Sequence, residues 1–325
     1  MQFNDSKPTF QTLSVLIAAY RRPNNVRVLL ESCKEAGLSS IFLSLDGPRN
    51  KSVQAISDYN KVMEVVEVFE SQVNFKIRKQ YFESNHGCAY SIIRGIDWAF
   101  QSTENLIVLE DDCMPSPNFF TFILNNLKYL ESNNDLWLIC GTQFAPEEVA
   151  GNTAIYSRHA LTWGWATNRY KWCEMKKIFF HSTYKPIMHE LLSMTPSKSF
   201  WNAGARRALN GFTDVWDTIL VSELLNQKKF SLLPPTNLVS NVGNDSVSTH
   251  TQIDSPWTRF TTKLLPKEFL DSPKVVPDVD TWLAKCFFKI GFRHIFSTKY
   301  TLLKDLMLAR KRKKFSESLS ERLKR

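Results

Sequence analysis

Short apolar runs recur through the first 140 residues of this chain, and each is followed by a stretch whose apolar residues return at helical spacing. Leu13 to Ala19, Ile41 to Leu45, Leu106 to Leu109 and Leu136 to Cys140 carry few polar interruptions, the pattern of strands covered on both faces. Between the first two, Pro23 to Ala36 sets Val26, Leu29, Leu30 and Cys33 on one face, has proline near its start and meets Gly37 at its end. Val53 to Phe69, Gly87 to Phe100 and Pro117 to Leu130 also read as helices, and a weaker strand is expected around Val73 to Arg78. Alternation of this kind implies a mostly parallel sheet with right-handed crossovers and helices on both faces, an α/β Rossmann-like fold.

The run Leu106-Ile-Val-Leu stops abruptly in three carboxylates, Glu110-Asp111-Asp112. Ligands of α/β sheets bind beyond the carboxyl ends of the strands, so these acids stand where a ligand is expected. They could form a solvated turn that favours the next helix through its dipole, Ser116 being that helix's N-cap and Pro117 its first turn. Three adjacent acids repel one another, however, and a cation accounts for them better than a few tenths of a kcal/mol of dipole stabilisation does. Hard oxygen ligands select Mn2+ or Mg2+, which usually keep waters and bind substrate phosphates.

Beyond Gly141 the alternation lapses. A Trp-rich segment, Trp163-Gly-Trp165 through Trp172, is expected in the core, followed by a helix from about Asp214 to Asn226, a short apolar stretch Phe230 to Leu233 and a polar loop Ser240 to Thr251. With 325 residues, 43% of them hydrophobic, the chain can bury one large core. The expected organisation is a ligand-binding half over 1–145, a second half of the same domain over 146–255, and a basic amphipathic helical extension over 256–325. Much of the formal charge of +9 lies in the tail, where Ala309 to Arg325 holds eight Lys or Arg against two Glu. That distribution argues against a nucleic-acid partner, which would call for a basic stripe across the fold. Trp282, Leu283, Phe287, Phe288, Ile290, Phe292, Ile295 and Phe296, interleaved with Lys285, Lys289, Arg293 and His294, could lie on an anionic membrane surface, aided by Arg310 to Lys314. They could equally dock on the core. Six scattered cysteines without a Cys-x-x-Cys spacing, and no evident signal or membrane span, suggest a cytoplasmic protein, peripheral at the inner face of the membrane if the tail binds lipid.

The segment Leu106-Ile-Val-Leu-Glu-Asp-Asp-Cys-Met-Pro-Ser-Pro-Asn-Phe-Phe120 resembles the metal-binding signature of GT-A glycosyltransferases, above all the inverting N-acetylglucosaminyltransferase I group and its bacterial sugar-nucleotide transferase relatives. The likeness extends to Val15 through Arg21, Leu43 through Gly47, Asn85-His-Gly87-Cys88, Trp163 to Thr167 and Asn237 to Thr251, and covers roughly residues 13 to 251. It implies a GT-A fold and transfer of a sugar from a nucleotide sugar, UDP-linked by resemblance, to a glycan or lipid-linked acceptor. Asp112 would be the ligand of Mn2+ or Mg2+, with Asp111 toward ribose and Glu110 toward the donor. Asp46 would hydrogen-bond uracil, Arg21 would lie near the nucleotide, and Gly87 would let the backbone approach the donor. Trp216-Asp217 resembles the element that holds the catalytic base, which makes Asp217 the candidate base, although the group has a second Asp where this chain has Thr218. Asp214 is expected to cap the helix that follows it. His250 would reach the diphosphate or the metal. As alternatives, each acid could be an ordinary turn or cap residue and His250 a surface side chain. A nucleotidyltransferase usually has a glycine-rich loop after its first strand, whereas Ala18-Ala-Tyr-Arg-Arg-Pro23 stands here. A non-catalytic nucleotide-sugar or carbohydrate-binding protein on the same fold is the main alternative.

Overall fold

The computed structural model describes residues 13–50, 52–180, 195–243, 260–265, 273–291 and 319–323. The first half runs β1 (Leu13–Ala19), α1 (Pro23–Glu35), β2 (Ile41–Leu45), α2 (Val53–Ser71), β3 (Arg78–Tyr81), α3 (Cys88–Ala99), β4 (Asn105–Glu110), β5 (Cys113–Pro115), α4 (Pro117–Ser132) and β6 (Leu136–Cys140). There follow α5 (Glu147–Ala150), β7 (Ile155–Ser157), β8 (Trp165–Asn168), α6 (Arg169–Phe180), α7 (Pro196–Leu209), α8 (Asp217–Asn226), β9 (Phe230–Leu233), β10 (Val239–Asn241), β11 (Lys274–Val275) and α9 (Pro277–Trp282). A π-helical turn, Leu283–Phe287, continues α9, and α10 (Leu319–Leu323) lies near the C-terminus.

Nine strands form one mixed, mostly parallel sheet in the order β11-β7-β9-β6-β8-β4-β1-β2-β3. The apolar runs explain its centre: β1, β2, β4 and β6 are buried along nearly their whole length, as strands with helices on both faces must be. One face packs on α1, α2 and α4 and the other on α3, α6, α7, α8 and the C-terminal elements, each covered by its own apolar core. In β1 and β4, Ala18 pairs with Glu110, and in β1 and β2, Ala19 pairs with Leu45. These strands therefore end at one level, with Tyr20, Asp46 and Asp111 just beyond it. Strand β8 runs antiparallel between β4 and β6.

Several expected boundaries shift. β3 pairs with β2 only over 78–81, because the backbone N–H of Ile77 is caught by Glu70 Oε1 at 2.6 Å and the residues before it do not join the ladder. Ser116 does stand at the N-cap of α4, yet its side chain makes no capping bond; its N–H pairs with the Leu238 carbonyl beside the small β5–β10 sheet. Trp165 and Trp172 are buried, as expected of the Trp-rich segment.

The apolar residues 277–290 turn toward the protein. Val279, Leu283, Phe287 and Ile290 are buried, Phe287 stacks on Phe144 with ring centroids 4.2 Å apart, and Asp280 accepts from Ser157 Oγ at 2.5 Å and from the Arg158 N–H. Of the two alternatives for the aromatic stripe, docking on the core holds over this stretch, where Phe144, Trp201 and His159 pack against it. Phe292 to Phe296 and the basic run Arg310 to Lys314 lie outside the described residues. Among the described residues no helix is long and apolar enough to cross a membrane.

Candidate active site

A cavity of about 270 Å³ opens beyond the ends of β1, β2 and β4. Arg21, Arg22 and Arg49 line it together with Glu110, Asp112, Asp214 and Asp217. The first half contributes all of these except Asp214 and Asp217, which come from the turn before α8 and from its first residue.

The acidic triplet divides its work. Asp111 turns inward: its carboxylate accepts from the Tyr20 N–H at 2.8 Å and from Arg22 Nη1 at 2.7 Å, while Asn25 Nδ2 donates to its carbonyl. Tied to the end of β1 in this way, Asp111 holds the strand-end backbone and also lines the cavity. Asp112 keeps a partly open carboxylate, its side chain 22% exposed, with Arg22 Nη1 3.8 Å from one oxygen. Gly243 abuts that carboxylate so closely that a Cβ there would collide with it, and the Val242 N–H donates to the Asp112 carbonyl at 2.8 Å. Glu110, the last residue of β4, accepts from the indole Nε1 of Trp216 at 3.3 Å. Burial, reinforced by the negative charges of Asp112 and Asp217, pushes the Glu110 carboxyl well above the usual range; burial and Asp111 push Asp112 up as well. Anions crowded into a poorly solvated cleft create a demand for positive charge.

Asp46 and Asp214, which also line the cavity, hold the loop before α3. Asp46 was expected to hydrogen-bond a base, but its oxygens already accept from the N–H groups of Gly47, His86 and Gly87 and from Asn85 Nδ2, at 2.7 to 3.0 Å. A carboxylate has about four lone-pair sites, so this one is filled by the loop it holds. Asp214, expected at the cap of its own helix, reaches across the cavity edge instead and accepts from the N–H groups of Cys88 and Ala89 at 2.9 Å each. Helix α8 consequently begins at Asp217, with Trp216 at its N-cap. The N–H groups of residues 86 to 89 thus all point at protein carboxylates. Gly87 sits at φ 87°, and a Cβ there would stand 2.6 Å from Asp214 Oδ2: the group that approaches Gly87 is Asp214. On the outer side of this loop, Arg322 of α10 donates to the His86 carbonyl at 2.6 Å and stacks over Tyr90.

Asp217 faces the cavity, with Oδ1 accepting from the Thr218 N–H at 2.7 Å. Thr218, which stands where the resembling group has a second acid, packs against Gly204 of α7, where an added Cβ would lie 3.1 Å from Thr218 Cγ2. Arg21 lines the cavity with its guanidinium 5.6 Å from the Tyr20 ring centre, and its Nε is buried without a hydrogen-bond partner. His250 lies outside the described residues. Sequence reasoning missed Arg22, Arg49, Asn241 and Gly243. A glycine and an amide in a polar loop carry no signal of their own, and Arg22 is told from Arg21 only by direction.

Among the described residues no group of three or more His, Cys, Asp or Glu is placed to hold a metal ion. A magnesium-like ion is usually bound by one or two carboxylates together with substrate phosphates, so such a group is not required. Asp112, an oxygen donor partly open to a cleft of raised carboxyls, suits that coordination.

No protein-family model matches the chain, and no curated protein matches it. Among solved structures it is similar to 4-diphosphocytidyl-2C-methyl-D-erythritol synthase from Anaerococcus prevotii, at 11% identity, with 69% of this chain and 89% of that chain covered and a TM-score of 0.36. It is also similar to glucosyl-3-phosphoglycerate synthase from Mycobacterium tuberculosis in complex with Mn2+, UDP and glucosyl-3-phosphoglycerate, at 11% identity, 49% and 57% coverage and a TM-score of 0.30. HddC from Yersinia pseudotuberculosis follows at 14% identity, 48% and 76% coverage and a TM-score of 0.29. The chain spans little more than half of the glucosyl-3-phosphoglycerate synthase.

Proposed function

We propose that the protein is a metal-dependent, inverting glycosyltransferase that moves a sugar from a nucleotide sugar, UDP-linked by resemblance, to a glycan or lipid-linked acceptor. One observation carries the proposal: carboxylates from two distant parts of the chain, Glu110 and Asp112 at the end of β4 and Asp217 at the start of α8, line one cavity that Arg21, Arg22 and Arg49 also line. Arg21 and Arg49 suit the phosphates and nucleoside of a donor. Asp112 would hold Mn2+ or Mg2+, which when bound supplies neutralising charge for a departing diphosphate. Asp217 takes the proton from the acceptor hydroxyl, and Glu110, fixed by Trp216, borders the space left for the sugar. With the base opposite the leaving group, attack inverts the anomeric carbon in a single displacement and leaves no glycosyl-enzyme intermediate. Asp46, Asp111 and Gly87 contribute through the loops they hold. A cytoplasmic setting, and a peripheral membrane contact through Arg310 to Lys314, extend the proposal on the sequence alone.

The test is incubation with Mn2+ and a panel of nucleotide sugars, following release of nucleoside diphosphate. Release that stops on chelation and in Asp112→Ala is expected. If no donor turns over while nucleotide sugars still bind, the protein is a binding module. If the transferred sugar keeps the donor's anomeric configuration, single displacement is wrong.

A further inference from the structure

Asp214 has no place in the proposed chemistry, yet it makes one of the longest-range polar contacts at the cavity. Its carboxylate caps α3, about 125 residues earlier in the chain, through the N–H groups of Cys88 and Ala89. Neither group has an intrahelical acceptor at a helix start, so the acid satisfies two donors at once and complements the positive end of a 12-residue helix.

What Asp214 fixes on its own side matters more. Three residues on stands Asp217, and between them Trp216 donates to Glu110 and stacks on Trp165 with ring centroids 5.5 Å apart. Leading in, Gly211 at φ 72° and the Phe212 N–H bonded to the Arg207 carbonyl end α7. The turn 212–216 is therefore gripped at the α7 end, at Trp216, and at Asp214. Of these grips, Asp214 is the one whose hydrogen bonds reach α3, directly after the loop that carries Asn85 to Gly87. Gly87 completes the contact, since any Cβ at this position would displace the carboxylate.

We propose that Asp214 is a positioning residue, and that Asp214 with Gly87 forms one latch that registers the Trp216–Asp217 turn against the donor-side helix α3. The proposal rests on the glycosyltransferase assignment only in giving Asp217 the role of base; the latch itself is a statement about coupling between two segments. Its consequence is reciprocal. Loosening either member frees both segments, and removing both adds little beyond removing one.

Hydrogen exchange on Asp214→Ala, Gly87→Ala and the double variant, with Asp214→Asn as the conservative change, tests this directly. Each single variant is expected to raise exchange about tenfold in peptides covering both 87–92 and 212–218, the double variant no further, and Asp214→Asn, which keeps one acceptor, less. If Asp214→Ala loosens only 87–92, or Gly87→Ala leaves 212–218 unchanged, there is no latch. Steady-state kinetics supplies the second readout: kcat falls about 100-fold in Asp214→Ala as the base is misplaced, while donor KM stays within about threefold. A donor KM that rises while kcat holds would overturn the positioning role. Exchange reports on the latch whether or not the wild type transfers sugar, so failure of the latch and failure of the glycosyltransferase assignment appear in different measurements.

Discussion

Arg22 Nη1 lies 2.7 Å from Asp111 Oδ1 and 3.8 Å from Asp112 Oδ2, so one guanidinium separates two adjacent acids into an anchored one and an open one. Asp111 is 5% exposed and bound by backbone and arginine; Asp112 is crowded by like charge and held by the weaker contacts of the Cys113 thiol and a more distant Arg22.

Stability and activity should therefore divide between these neighbours. Asp111→Ala is expected to cost about 3 kcal/mol, because a buried hydrogen-bonded ion pair loses one member. Asp112→Ala should change stability by less than about 1 kcal/mol, with relief of repulsion offsetting what is lost, and still abolish metal-dependent turnover. Urea denaturation of the two variants measures the difference, and equal losses would refute the division of roles.

Asp217→Asn should lower kcat by about 100-fold or more while leaving donor KM nearly unchanged, the signature of a lost general base. Steady-state kinetics at saturating acceptor checks it. A variant with wild-type kcat would move the base elsewhere.

Much of this arrangement could be read from the sequence, and the exceptions have physical causes. β1, β2, β4 and β6 are buried along nearly their whole length, so their apolar runs have few polar interruptions and their ends are plain. β7 and β11 have three and two residues, too short for any period to register. The acids at strand ends were visible as candidates, but their tasks were not. An aspartate that caps the next helix and one that caps a helix 125 residues earlier have the same local sequence. Asp214 and Asp46 became legible only when the partner N–H groups were in place.

Lys171 on α6 is buried and donates from Nζ to the carbonyls of Leu130, Asn133 and Leu136, closing the end of α4 onto the start of β6. Lys171→Met keeps the packing and strands these acceptors, so a loss of about 3 kcal/mol is expected. The urea midpoint reports it; a change below about 0.5 kcal/mol would mean that water replaces the ammonium.

His159 is buried against Phe288 and Trp201, and its Nδ1 has no hydrogen-bond partner. Burial lowers its pKa, although Asp280 pulls the other way. In the unfolded chain the imidazole protonates as pH falls through about 6.5, whereas in the folded protein it stays neutral to lower pH. Over that window the unfolded state binds more protons, so His159 makes stability fall with falling pH, by at most about 1.4 kcal/mol per unit. Urea midpoints at pH 7.5 and 5.5 should differ less in His159→Phe than in the wild type.

Strand β8 has a consequence for how such a chain can be divided. It is the sheet neighbour of both β4 and β6, and the other neighbour of β6 is β9, so among the described residues β6 pairs with no strand from its own half of the sequence. A fragment ending near residue 145 would leave Leu106 to Val108 as a bare apolar edge, a template for pairing with other chains. The half after residue 145 cannot be exchanged as a cassette: recombination at that point unpicks the seam through the middle of the sheet.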